Sequence, residues 1–102
     1  MITDKEKVAG IVISRGRVLL MYRVNNGKEY YTFPGGGIEK GESEEDALIR
    51  EFIEETCVSV KPLRKVYEID WLESQKQFFY LAEYISGTPT LDPNSVEAEA
   101  MK

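Results

Sequence analysis

Residues 51–55 read Glu-Phe-Ile-Glu-Glu, and these three carboxylates are where the sequence first offers chemistry. On a helix, Glu51, Glu54 and Glu55 stand at i, i+3 and i+4, so they are surface neighbours that repel by a few tenths of a kcal/mol per pair. A hard divalent cation would reverse that sign. Mg²⁺ and Mn²⁺ take oxygen ligands, and Mg²⁺ typically binds through a few carboxylates together with substrate phosphates. Upstream, Pro34-Gly35-Gly36-Gly37 reads as a glycine-rich turn able to bring backbone carbonyls or amides against a metal or a phosphate. Arg50 lies beside the acids and is placed to pair with Glu42, tying turn to helix.

The positioning element is a helix predicted from Ser43 to Thr56. Ser43 can cap an unpaired amide of the first turn, and Glu44, Glu45 and Asp46 favour the positive end of the dipole. At about 100° per residue, Leu48, Ile49, Phe52 and Ile53 gather on one arc, and Ala47, Glu51, Glu54 and Glu55 on another. Cys57 follows, where a glycine would make the usual left-handed cap. It reads as a small semi-buried residue rather than a redox thiol.

In register, this stretch resembles the Nudix hydrolase signature, G-x5-E-x7-R-E-U-x-E-E-x-G-U with U a bulky apolar residue. Gly36, Glu42, Arg50, Glu51, Phe52, Glu54, Glu55 and Val58 fall at its positions. Cys57 replaces the second glycine. The resemblance implies that Glu51, Glu54 and Glu55 ligate Mg²⁺ or Mn²⁺ with a carbonyl of Gly35 or Gly36, one glutamate also being a candidate to orient the attacking water. It makes Glu42 and Arg50 supports, and places Arg23, Gly36 and Gly37 on the substrate side. The implied fold is an α/β/α sandwich around a mixed, mainly antiparallel sheet. The implied reaction is hydrolysis of a nucleoside diphosphate linked to another group, most like the MutT type acting on nucleoside triphosphates. ADP-ribose, sugar-nucleotide or RNA 5′-end hydrolysis, and a non-catalytic nucleotide-binding module, are the alternatives.

Composition narrows the classes. Thirteen basic against eighteen acidic residues give net −5, which disfavours duplex nucleic acid and means that a polyphosphate needs metal to approach. The chain contains no histidine, so histidine acid/base chemistry is excluded. One cysteine allows no intrachain disulfide, no apolar run approaches the ~20 residues that span a membrane, and the N-terminus lacks a signal-peptide core. A cytoplasmic domain over residues 1–102 is expected.

In chain order, 7–14 and 17–24 are predicted strands joined by an Arg15-Gly16 turn, and Asn25-Asn26-Gly27 is a loop. Tyr30, Tyr31 and Phe33 make a short aromatic strand, with Tyr31 packed under the glycine turn or else stacking on a base. Residues 58–70 are an extended segment broken at Pro62, and 76–86 another strand. Trp71 at the hairpin tip packs, or else contacts a substrate base or the second subunit of a homodimer. Residues 87–95 form a loop and 96–102 begin an element, so the family's usual last strand and helix look missing. Glu97 and Glu99 are candidates for one more functional glutamate there.

Overall fold

The β-branched runs of the N-terminal half form strands, as their composition predicts. β1 (Lys7–Ser14) and β2 (Arg17–Asn25) pair as an antiparallel hairpin. Between them Arg15 and Gly16 take φ of 56° and 75°, and Asn26 and Gly27 repeat the device at 53° and 76° before β3 (Lys28–Thr32). Two successive left-handed residues make the turn whose twist matches that of a hairpin. The molecule is seen here as a computed structural model describing residues 6–71, 75–89 and 98–101.

The glycine turn is not a turn. Gly35–Gly37 is a short strand, β4, antiparallel to β1 with Gly35 opposite Ala9 and Gly36 opposite Val8. None of its three glycines has positive φ. What they supply is close approach, since a Cβ on Gly35 would strike the Val8 carbonyl oxygen.

α1 (Glu44–Thr56) starts where predicted, with Ser43 Oγ accepting a hydrogen bond from the Asp46 amide at 3.0 Å. Its buried residues are Ala47, Leu48, Phe52 and Thr56. This corrects the predicted arcs: Ala47 is buried, and Ile53 is half exposed. The cause lies in β1, where a Cβ on Gly10 would come within 2.6 Å of Phe52 Cε1 and 3.1 Å of Leu48 Cδ1. Helix side chains fill the space that glycine leaves. The roll brings the Glu51–Glu55 side to the margin of the interface.

The helix ends at Cys57, which adopts φ 64° and ψ 23° and donates its amide to the Ile53 carbonyl at 3.1 Å. The left-handed cap is therefore kept by a residue with a side chain. Cys57 is exposed, not semi-buried.

β5 (Ser59–Trp71) runs straight through Pro62, where a break was expected. It is an edge strand, and bulges between Pro62 and Arg64 and between Lys65 and Tyr67 absorb the irregularity. β6 (Gln75–Ser86) pairs antiparallel with β5 and parallel with β1. The sheet order is β3-β2-β1-β6-β5, with β4 on β1 and β7 (Ala98–Met101) on β2. This is the mixed, mainly antiparallel sheet expected, with α1 on one face. β7 occupies four of the residues in the stretch 96–102 that the sequence left without a defined element.

Val8, Val12, Ala47, Leu48, Phe52, Val58, Val60, Phe78, Tyr80 and Ala82 form the core between sheet and helix. Tyr31 does not pack under β4: it is 53% exposed, with its ring 5.6 Å from that of Tyr22. Phe33, beyond the end of β3, meets Phe79 edge-on. Residues 72–74, 90–95 and Glu97 lie outside the described residues, as do the side chains of Trp71 and Glu99. Among the described residues no helix is long and apolar enough to cross a membrane.

Cys57→Gly should stabilise the chain by about 1 kcal/mol, because it relieves a side chain held in left-handed backbone. A higher urea midpoint with an unchanged m-value is the expected result; an unchanged or lower midpoint would show that the cap is not strained.

Candidate active site

The acids of α1 meet the glycine strand directly. A Cβ on Gly36 would meet the Glu51 carboxylate, so glycine here lets that carboxylate lie against the strand in its present position. The Gly35 amide donates to Glu55 Oε1 at 3.4 Å. Helix carboxylates are thus seated on a main-chain edge.

Arg50 holds this junction together. Its Nε donates to Glu42 Oε2 at 2.7 Å and its Nη2 to Glu42 Oε1 at 2.9 Å, a two-pronged pair. Nη2 also donates to the Gly37 carbonyl at 2.9 Å, and Nη1 to Glu51 Oε2 at 3.0 Å and Glu54 Oε1 at 3.2 Å. Glu42 Oε1 in turn accepts from the Glu39 amide at 2.9 Å, closing the loop before the helix. The predicted pairing of Arg50 with Glu42 is present, and the arginine reaches further than predicted. Arg50 and the Glu39 amide together hold the Glu42 carboxyl down to about 2.

Arg23 approaches the third acid, Glu55. Its Nη2 is 3.6 Å from Glu55 Oε2, and its Nε donates to Thr32 Oγ1 at 3.2 Å. Thr32 was missed by sequence reasoning, although the Asn26-Gly27 turn sets the β2–β3 register that brings Arg23 opposite Tyr30, two residues from Thr32. Burial pushes the Glu55 carboxyl above its ordinary value; Arg23 opposes the shift and the charge on Glu51 adds to it. The exposures of the three acids are graded: 13% for the Glu51 side chain, 26% for Glu55 and 57% for Glu54.

The helix start is fixed separately. Tyr80 Oη donates to Glu44 Oε1 at 2.6 Å, and Lys65 Nζ lies 3.0 Å from the same oxygen and 4.4 Å above the Phe78 ring. Burial and Glu44 raise the Tyr80 hydroxyl and so keep it a donor. Lys65 and Tyr80 are cross-strand partners, a relation invisible until the β5–β6 register is known.

As placed, no group of three acidic side chains among the described residues converges enough to hold a metal ion. Glu51 and Glu54 face Arg50, and Glu55 faces Gly35 and Arg23. The donor chemistry nonetheless fits a hard divalent cation: three carboxylates within one helical turn, one of them lying in the space that Gly36 leaves on the neighbouring strand. Glu51, Glu54 and Glu55 would hold it, and doing so requires their carboxylates to turn from their present partners.

The low Glu42 value has a consequence for stability. A carboxyl whose folded value lies below the unfolded 4.5 stabilises fully above that pH, and its contribution is lost as pH falls through about 2. Glu42→Gln should therefore unfold at lower urea than the parent at neutral pH, with the gap closing as the medium is acidified from about 4.5 towards about 2. A gap that is independent of pH would remove the charged pair as its source.

The whole chain can now be set beside known proteins. The model of the NUDIX domain matches residues 4–101. The chain is 35% identical over 80 residues to the NAD-capped RNA hydrolase NudC of Salmonella paratyphi B, an alignment covering 78% of this chain and 31% of that protein. It thus spans about a third of the length of the curated relatives it matches. In fold it is similar to an ADP-ribose pyrophosphatase from Streptococcus suis, with a TM-score of 0.82 at 21% identity, over 98% of this chain and 75% of that one. It is also similar to a MutT Nudix hydrolase from Burkholderia pseudomallei, with a TM-score of 0.81 at 23% identity, over 94% and 81% of the two chains. These two likenesses concern the fold alone. The domain match over nearly all of the residues, joined to the glutamates and arginine standing in the signature's register, establishes that this chain belongs to the Nudix family.

Proposed function

We propose that the chain is a divalent-metal-dependent pyrophosphohydrolase that cleaves a nucleoside diphosphate linked to another group. The observation that carries this reading is the seating of Glu51 and Glu55 on the Gly35–Gly36 edge, where one carboxylate lies in the space a Cβ on Gly36 would take and the other accepts from the Gly35 amide. Such an edge lets phosphate oxygens and carboxylates share one cation without steric interference.

When bound, Mg²⁺ or Mn²⁺ would neutralise charge on the phosphate oxygens and acidify a water. The residues of the chain do the rest. Glu51, Glu54 and Glu55 supply the negative field that draws the cation into a protein of net charge −5. Arg50 and Glu42 fix the helix against β4, so that these acids keep their spacing from the glycine amides. Arg23, a third exposed beside Glu55, presents a guanidinium to a substrate phosphate. Catalysis of this kind rests on placement and electrostatics.

Nucleoside triphosphates of the MutT type remain the substrate reading from the sequence. The identity of 35% with a NAD-capped RNA hydrolase favours a second one, a dinucleotide pyrophosphate such as NAD, free or at an RNA 5′ end.

With Mg²⁺ present, the purified chain should release phosphate, pyrophosphate or nucleoside monophosphate from a panel of nucleoside triphosphates, ADP-ribose, NAD and nucleotide sugars. Glu54→Gln and Glu55→Gln should each lower turnover by orders of magnitude, and chelation should abolish it. A folded chain that turns over nothing in the panel, or variants as active as the parent, would overturn the proposal; the best substrate decides between the two readings.

A further inference from the structure

We propose that Thr32 is a positioning residue for the substrate phosphate: its hydroxyl keeps the Arg23 guanidinium at the site when Glu55 turns away from it to the cation. This rests on the reading of the site as a nucleoside-diphosphate hydrolase and names the residue that holds its phosphate-binding arginine in place.

Strand register brings the two side chains together. Met21 lies opposite Thr32, and Arg23 opposite Tyr30. Side chains two apart on a strand share a face, and diagonal neighbours across an antiparallel pair lie within reach of a long side chain. Arg23 accordingly runs back along β2 to the row of Met21 and Thr32. There its Nε donates to Thr32 Oγ1 at 3.2 Å, and its Nη2 lies 3.7 Å from Met21 Sδ. Met21 is fully buried, a fixed wall for the guanidinium to rest on. Thr32 also stands three residues before Gly35, whose amide meets Glu55, so the hydroxyl and the glycine edge are placed by one short run of chain.

The holds on Arg23 differ in kind. Glu55 Oε2, 3.6 Å from Nη2, supplies an opposite charge, whereas Thr32 and Met21 supply geometry. Nη1 meets no acceptor among the described residues. As a metal ligand Glu55 gives up its ion pair, and Arg23 then keeps only the partners on β2 and β3. Both belong to paired strands, so neither has to move.

Threonine suits this task because its oxygen is neutral. It orients the guanidinium without cancelling the charge that a phosphate needs, and it engages Nε, which leaves the N–H groups of the two Nη nitrogens for phosphate oxygens. A long side chain that is already fixed loses little further freedom when the ligand arrives, which favours binding. Thr32 itself does not touch the substrate in this arrangement. Its effect has to pass through Arg23 and should vanish when the arginine is removed.

Thr32→Val deletes the hydroxyl and keeps the β-branched shape that a strand favours, so the variant should unfold at the parent's melting temperature. The probes are ADP with Mg²⁺, followed by calorimetry, and the best nucleotide of the panel, followed by turnover. Thr32→Val should weaken ADP and raise the nucleotide KM about tenfold, with a smaller effect on kcat. Thr32→Ser, which retains the hydroxyl, should match the parent. Arg23→Ala should weaken ADP at least as much as Thr32→Val does, and adding Thr32→Val to it should change nothing further. A Thr32→Val loss that persists without Arg23, a Thr32→Ser as poor as Thr32→Val, a Thr32→Val that binds as the parent does, or no ADP binding by the parent would overturn the assignment. An active chain indifferent to Thr32→Val would refute the positioning role and leave the hydrolase reading standing. An inactive chain whose ADP binding depends on Thr32 through Arg23 would do the reverse.

Discussion

Everything in the site depends on one guanidinium. Arg50 engages Glu42 with two prongs, the Gly37 carbonyl with a shared one, and Glu51 and Glu54 with the third. These partners belong to β4, to the loop before the helix and to the helix itself, so one side chain fixes three pieces of backbone relative to each other. A lysine offers a compact point charge in place of this planar fork and cannot reproduce the arrangement. The same contacts solve an electrostatic problem, because the acids that give the helix its chemistry repel one another. Arg50 is the internal cation that lets them coexist in the folded chain.

Around that centre, two glycines set the distances. Gly10 admits Phe52 and Leu48 of α1 to the surface of β1, and Gly36 admits Glu51 to the surface of β4. Apolar and acidic faces of the helix are thus located by the same means, a missing side chain on the strand opposite. The helix start is pinned at its other end by Tyr80 and Lys65 on Glu44. With both ends held, the acids have little freedom to drift from the glycine edge.

Much of this could be read before the structure was known. The cap at Ser43, the Arg15-Gly16 hairpin turn and the pairing of Arg50 with Glu42 rest on local chemistry, and local chemistry is written in consecutive residues. What escaped depends on distant parts of the chain. Helical periodicity placed Ala47 with the acids, but the seating of α1 is decided by Gly10, far away in sequence. Tyr31 and Phe33 look alike as aromatics before a proline, and only the strand arrangement that sets Phe79 beside Phe33 tells them apart. Pro62 reads as a breaker until β5 is known to be an edge strand, where a missing amide is tolerated. Gly35–Gly37 reads as a turn because glycine is ordinarily used for left-handed backbone, whereas here it is used for room.

The parallel pairing of β1 with β6 also has a consequence in time. Lys7 meets Gln77 and Val12 meets Ala82, so the central strand of the sheet finds its partner only across most of the chain. Contacts of such long range slow folding, because the loop must close before they reward it. During synthesis the N-terminal hairpin and the acidic helix emerge first, and the strand that completes the floor beneath them emerges late. Until then Phe52 and Leu48 have only part of their apolar bed. The nascent chain therefore carries an exposed hydrophobic helix face until β6 has been made, a stage at which a chaperone would find its natural target.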